Sequence, residues 1–115
     1  MNPSEPSRGD VWDLDFDPTI GHEQAGARPA LILSVDLFNE GRAELVVAVP
    51  ITRTERRIRW HVRVSPPEGG LAAVSFIQCE NVRSVSKTRL KRRRGRIPDA
   101  VLHQVEDRVR ILLGL

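Results

Sequence analysis

The amino-acid sequence predicts a mainly β fold: a small antiparallel barrel or half-barrel with one helix packed at its C-terminal end. Three observations carry this reading. Short apolar or alternating runs recur along the first four-fifths of the chain, each bounded by turn residues. One stretch alone, at the C-terminus, spaces its apolar residues as a helix does. The length, 115 residues, suits a single domain with one modest core.

The elements follow in order. Residues 1–7 hold Pro, Ser and Asn and read as a loose tail, so the domain is expected over 8–115. Residues 11–16, VWDLDF, set Val11, Trp12, Leu14 and Phe16 against Asp13 and Asp15, a first strand with one wet face. Residues 17–28 form a connection longer than usual, which hints at function. PALILSV (29–35) and ELVVAVPIT (44–52) are continuous apolar runs and read as central strands, with DLFNEGRA turning the chain between them. RTERR is a polar connection. IRWHVRV (58–64) alternates, with Ile58, Trp60, Val62 and Val64 on one face and Arg59, His61 and Arg63 on the other. SPPEGG is a turn, LAAVSFIQ (71–78) a strand, ENVRSVSKTRL a series of short extended segments, and RRRGRI a last short strand. In the final segment Val101, Leu102, Val105, Val109, Leu112 and Leu113 share a helical face. Pro98 fits its first turn, Asp99 suits the positive end of its dipole, and Gly114 can stop it.

Composition narrows the function. No apolar run is long enough to cross a membrane as a helix, and MNPSEPSRGD lacks the apolar centre of a secretory leader. The single cysteine, Cys79, allows neither an intrachain disulfide nor a cysteine metal cluster; a cytoplasmic setting is expected. The net charge of +3 conceals an asymmetry. Residues 1–40 carry eight acids and two bases, whereas residues 41–115 carry seven acids and sixteen bases. Arginine dominates two clusters, 53–63 and 87–96, and guanidinium groups pair with phosphates and stack on bases. Nucleic acid is the expected partner.

Familiar catalytic signatures are missing. Asp13, Asp15 and Asp17 alternate, but Pro18 follows at once and no calcium-loop glycine is in place, so a solvated strand face is the better reading and no metal site is expected. The histidines show no metalloprotease spacing, no serine sits in a nucleophile elbow, and no phosphate-binding glycine loop is present. Cys79 reads as a small packed residue. Two places remain: the loop GHEQAGAR before Pro29, and the strand end Pro50-Ile51-Thr52. In each, a rigid apolar strand meets a polar segment, where a scaffold can hold reactive groups.

These residues, in order, carry a resemblance. RGDVW, DFDPTIGHEQAGARPALILS, VPIT, ENVRSVS, GRIP and LGL together resemble the MazF/PemK family of toxin endoribonucleases from type II toxin–antitoxin modules. The match runs from Arg8 to Leu115. It implies a SH3-like antiparallel β-barrel with a C-terminal α-helix, shared with CcdB-like toxins. It implies sequence-specific cleavage of single-stranded RNA, without metal or other cofactor, by a homodimer that an acidic antitoxin tail blocks. It places the catalytic pair on Arg28 and Thr52 and a functional loop acid on Glu23. Relatives often have an apolar or aromatic residue at the position of Asp13, and a D-Q-[IV]-[RK]-S segment that reads Glu80-Asn81-Val82-Arg83-Ser84 here.

The chemistry can be argued alongside. Metal-free cleavage by the neighbouring 2′-hydroxyl yields a 2′,3′-cyclic phosphate and a 5′-hydroxyl. It needs a proton acceptor, charge stabilisation on the phosphorane and a proton for the leaving oxygen. Arg28 suits the phosphorane, Thr52 can donate to a phosphate oxygen, and Glu23 or His22 is a candidate base. Candidates for touching RNA are His22, Gln24, Arg53, Arg59, His61, Asn81 and Arg83; Trp60 reads as core from its alternation. Two other readings share the fold: a CcdB-like gyrase poison, and a non-catalytic RNA-binding barrel.

Overall fold

The computed structural model describes residues 5–16 and 27–115. Seven strands, β1 (Asp10–Asp15), β2 (Ala27–Ile32), β3 (Leu45–Thr52), β4 (His61–Val64), β5 (Ser75–Gln78), β6 (Arg83–Ser86) and β7 (Leu90–Arg96), form one antiparallel sheet. A short turn of helix, α1 (Asp36–Asn39), follows β2, and the long helix α2 (Asp99–Leu113) ends the fold. The strand order is β4-β5-β3-β2-β1-β7, with β6 on β3. β3 therefore pairs with β2 on one side. On the other it pairs with β6 along its first half and with β5 at its end.

The continuous apolar runs have a packing cause. Side chains on successive strand positions face opposite ways, and each face here meets its own cluster. Val11, Leu31, Val49 and Ile51 join the core under α2 with Val101, Leu102 and Val105. Trp12, Leu14, Ala30, Ile32, Val46 and Ala48 form a second cluster on the other face. Strands buried on both sides cannot alternate with polar residues.

The ladder does not close, since β4 and β7 are its two ends. The 3-10 turn Glu68–Gly70 covers part of the β7 edge by backbone contact. A Cβ on Gly70 would lie 2.1 Å from the Arg94 carbonyl oxygen, and one on Gly95 would lie 2.7 Å from the Gly70 nitrogen. Only glycines allow this approach, and Gly70 also has a φ of +66°. The arrangement is an open-sided barrel rather than a sealed one.

The Arg8-Gly9-Asp10 triplet ties the N-terminal segment to the rest. The Arg8 guanidinium donates to the Leu33 carbonyl and to Glu106 of α2. Asp10, with a side chain 4% exposed, accepts from the Ser7 amide at 2.9 Å and Trp12 Nε1 at 3.2 Å, and lies 3.2 Å from Arg93 Nε. Residues 5–7, inside the expected tail, are packed: Pro6 is buried and Glu5 pairs with Lys87 at 2.9 Å.

Several boundaries differ from expectation. β2 starts at Ala27, so Arg28 is part of the strand. β4 begins only at His61, leaving Ile58 exposed and Trp60 half-buried. β5 begins at Ser75, with 71–74 irregular. The wet face expected for β1 is covered: the Asp13 side chain is 15% exposed and holds Arg92 and Arg94 of β7. α2 runs as expected, with Pro98 as its N-cap and Gly114 at φ +73° ending it. Among the described residues no helix is long and apolar enough to cross a membrane.

Candidate active site

β3 is the rigid wall of the site. Val46, Ala48, Val49 and Ile51 are pinned in the two clusters, and Thr52 follows the last of them. β2 runs antiparallel to it, with Ala30 opposite Pro50. Continuing that register by two residues sets Arg28 opposite Thr52. The ladder between the two strands ends at Ala30 and Pro50, so beyond that point a space opens. Arg28 is held from its other side, where Leu14 of β1 is its register partner.

The space is a groove of about 930 Å³. Arg28 and Thr52 both line it, and so do Arg53, Asn81 and Arg83. The lining also brings in Arg56, one of the 53–63 arginines, and Phe16, Gln78 and Arg94, which the sequence does not mark as site residues. Arg56 and Arg94 lie in the two arginine clusters, which signalled a basic surface without saying which members converge. Phe16 reads as an ordinary apolar strand residue. Gln78, at the end of β5, carries no local signal. The described lining holds five arginines and no carboxylate, an electrostatic funnel for a polyanion.

Individual contacts refine the picture. Thr52 Oγ1 accepts a hydrogen bond from the Thr54 amide at 3.1 Å. That contact orients the hydroxyl and leaves its proton to be donated. The Arg28 guanidinium has no hydrogen bond or ion pair to another described residue. Arg83 stands 5.3 Å from the centroid of the Phe16 ring, making a cation–π contact at the groove's edge. Asn81 ends the 3-10 turn Cys79–Asn81 and is exposed.

Two of the candidates for touching RNA lie elsewhere. His61 was expected on an outward face with Arg63, yet its side chain is only 3% exposed and its Nε2 lies 3.0 Å from Glu80 Oε2. The 3-10 turn that follows β5 folds over that face, which strand alternation alone could not foresee. His61 is therefore not available to a substrate in this arrangement. Arg59 is exposed but does not line the groove; its carbonyl accepts from Arg108 of α2 at 3.0 Å. His22, Glu23 and Gln24 lie outside the described residues. Cys79 is buried, and its thiol is pushed up to about 12, first by burial and then by the nearby Glu80 carboxylate. It is a packed residue and no nucleophile. Among the described residues no three His, Cys, Asp or Glu side chains converge as metal ligands would.

Residues 7–113 match the family of PemK-like, MazF-like toxins of type II toxin–antitoxin systems. The chain belongs to this family. It is 33% identical to the endoribonuclease PemK of Escherichia coli over 112 residues, 96% of this chain and 84% of that protein. It is 29% identical to the endoribonuclease EndoA of Bacillus subtilis, covering 94% of each. Among solved structures, a MazF crystal structure from Deinococcus radiodurans superposes with a TM-score of 0.81 at 31% identity, over 96% of this chain and 98% of that one. A mycobacterial endoribonuclease in complex with its cognate antitoxin superposes with a TM-score of 0.79 at 28% identity, over 96% of each chain. The PemK/MazF fold is thus the mainly β architecture expected from the sequence, one C-terminal helix included.

Proposed function

We propose that the chain is a toxin endoribonuclease that cleaves single-stranded RNA without a metal, with Arg28 and Thr52 as its catalytic pair. One observation carries the reading: past the Ala30–Pro50 pair β2 and β3 no longer pair, and Arg28 of one and Thr52 of the other line the same arginine-lined groove. Family membership supports the same chemistry, because relatives across the whole length of the chain are endoribonucleases.

The 2′-hydroxyl beside the scissile phosphate gives its proton to a base and attacks phosphorus, forming the cyclic phosphate and expelling the 5′-oxygen, which takes a proton from water to become the 5′-hydroxyl. Negative charge grows on the non-bridging oxygens as the phosphorane forms. Arg28 meets that charge with a planar fork of donors that fits two phosphate oxygens. Among the described residues no carboxylate holds it. Thr52 donates a hydrogen bond from its hydroxyl to a second oxygen while the same oxygen accepts from the Thr54 amide. The described lining of the groove offers no carboxylate or imidazole to accept the 2′-proton. That role falls to the 17–26 segment, where Glu23 and His22 are the candidates. Gln24, Arg53, Asn81 and Arg83 are the residues proposed to hold flanking nucleotides.

The proposed partners follow. An antitoxin with an acidic tail would fill the same cationic groove and exclude RNA, in keeping with a relative solved with its cognate antitoxin. A homodimer and a cytoplasmic location complete the reading. The test is cleavage of a mixed-sequence single-stranded RNA in EDTA. Wild type should yield 2′,3′-cyclic phosphate and 5′-hydroxyl ends, and Arg28→Ala should abolish them. Cleavage that survives both Arg28→Ala and Thr52→Ala refutes the site. No cleavage of any sequence favours a binding role for the groove.

A further inference from the structure

We propose that Arg94 is a second phosphate-binding residue of the groove, held there by Asp13 as a positioning residue. The inference rests on the ribonuclease reading and adds a subsite to it.

The first observation is a bulge. β7 pairs with β1 as Gly95 opposite Val11 and then Arg93 opposite Trp12, so the register passes over Arg94. A residue passed over in a bulge has no cross-strand partner and can be aimed away from the ladder, which is a common device beside active sites. The side chain reaches the lining of the groove that holds Arg28 and Thr52.

The second is that the position is built. The backbone at 94–95 is locked by the close approach of Gly70. Arg94 NH1 lies 3.1 Å from Asp13 Oδ1. The other Asp13 oxygen is 3.4 Å from Arg92 NH2, so the carboxylate is divided between two arginines and does not grip Arg94 with both oxygens. The Arg94 side chain is 22% exposed, less than that of either Arg92 or Arg93. A half-buried arginine with a fixed stem presents its remaining donors with little left to lose in side-chain freedom.

The third is unspent hydrogen bonding. Arg94 Nε is buried without a partner, although buried donors are almost always satisfied. A clamp made only for stability would use the guanidinium fork in full against its carboxylate. Here the guanidinium makes one hydrogen bond to that carboxylate, through NH1, beside a groove that has no acid in its described lining. An RNA phosphate next to the scissile one is the ligand that fits: a tetrahedral monoanion with several acceptors.

The test uses the full-length protein and a labelled 2′-O-methyl RNA of random sequence, which cannot be cut by 2′-attack. Each phosphate contact to a single strand contributes about 0.7 to the slope of log affinity against log salt. Arg94→Gln should therefore lower that slope by about 0.7, so that between 50 and 200 mM salt it loses about 2.6-fold less affinity than wild type. On cleavable RNA its KM should rise about tenfold, by more than kcat falls. In the Arg94→Gln background, Asp13→Asn should leave affinity within about twofold, because Asp13 acts on RNA only through Arg94. If Arg94→Gln lowers the melting temperature but keeps the wild-type slope and KM, the pair is a clamp and the proposal is overturned. Should Arg94→Gln fail to fold, Arg94→Lys keeps the charge and loses the fork. It should then retain the slope while raising KM, and an unchanged KM overturns the proposal equally. A wild-type protein that neither binds this probe nor cleaves RNA overturns the ribonuclease reading as well. One that cleaves while Arg94→Gln matches it in slope and KM removes Arg94 alone.

Discussion

Thr52→Val isolates one hydrogen bond in the proposed transition state. Valine keeps the branched shape at Cβ and removes the hydroxyl. Among the described residues the hydroxyl makes one hydrogen bond, accepting from the exposed Thr54 amide at 3.1 Å, and water can replace it. The fold should lose no more than about 0.5 kcal/mol, a shift in melting temperature of about 3 °C or less. In the transition state the same hydroxyl is proposed to donate to an oxygen that is gaining charge. A hydrogen bond to a charged group is worth about 1.5–3 kcal/mol, which predicts a loss in kcat of about 10- to 150-fold. Thr52→Ser keeps the donor and should retain most activity, falling only by the cost of a freer rotamer. Single-turnover cleavage of a labelled RNA in EDTA, run beside thermal denaturation, separates the two effects. A valine variant that cleaves within about threefold of wild type would show that Thr52 donates nothing to the reaction. A serine variant as slow as the valine one, with its fold intact, would show that shape and not the hydroxyl is what matters.

Three further predictions concern the frame. Gly95→Ala would place a methyl group 2.7 Å from the Gly70 nitrogen and 2.9 Å from the Gly69 carbonyl carbon; it should cost about 1–3 kcal/mol in chemical denaturation, and a neutral result would refute the tight seam. Asp10→Ala strands the Trp12 indole N–H and the Ser7 amide and unpairs Arg93, so it should cost about 2–4 kcal/mol, whereas an exposed acid would cost almost nothing. Burial, reinforced by Glu80, raises the Cys79 thiol from 9.0 to about 12, so the folded protein holds this proton after the unfolded chain has lost it. This contribution to stability is intact below pH 9 and falls as pH rises from 9 towards 12, and Cys79→Ala should flatten that part of the profile. At pH 8 a thiol reagent should label Cys79 only after unfolding, and rapid labelling of the native protein would contradict its burial.

The fold was legible wherever its causes are local. The spacing of Val101, Leu102 and Val105 marks α2, and the apolar runs around Leu31 and Val49 mark strands buried on both faces. What alternation could not show is which face another segment would later cover. The Asp13 face looks solvent-directed along β1 alone, but β7 lays two arginines on it from eighty residues away. The same applies to His61, whose outward position in the pattern is covered by the turn carrying Glu80. In both cases a polar residue found its partner through a long-range pairing, and no local pattern encodes that.

The site divides along the same line. Arg28 and Thr52 could be picked out because each sits where an apolar strand ends, and a strand end is a local feature. Their meeting depends on the register of β2 on β3, in which Ala30 faces Pro50. Side chains alternate along a strand, so shifting that register by one residue would turn one of the two away from the groove. The buried pairs Leu31–Val49 and Ile32–Ala48 oppose such a slip, because each would move from its own apolar cluster to the other. The precision of the groove is thus set by core residues several positions away from it. The arginines that converge from β6, β7 and the loop after β3 need still longer-range pairings, which is why the two basic clusters of the sequence do not reveal that Arg53, Arg56 and Arg94 meet Arg83 at one groove.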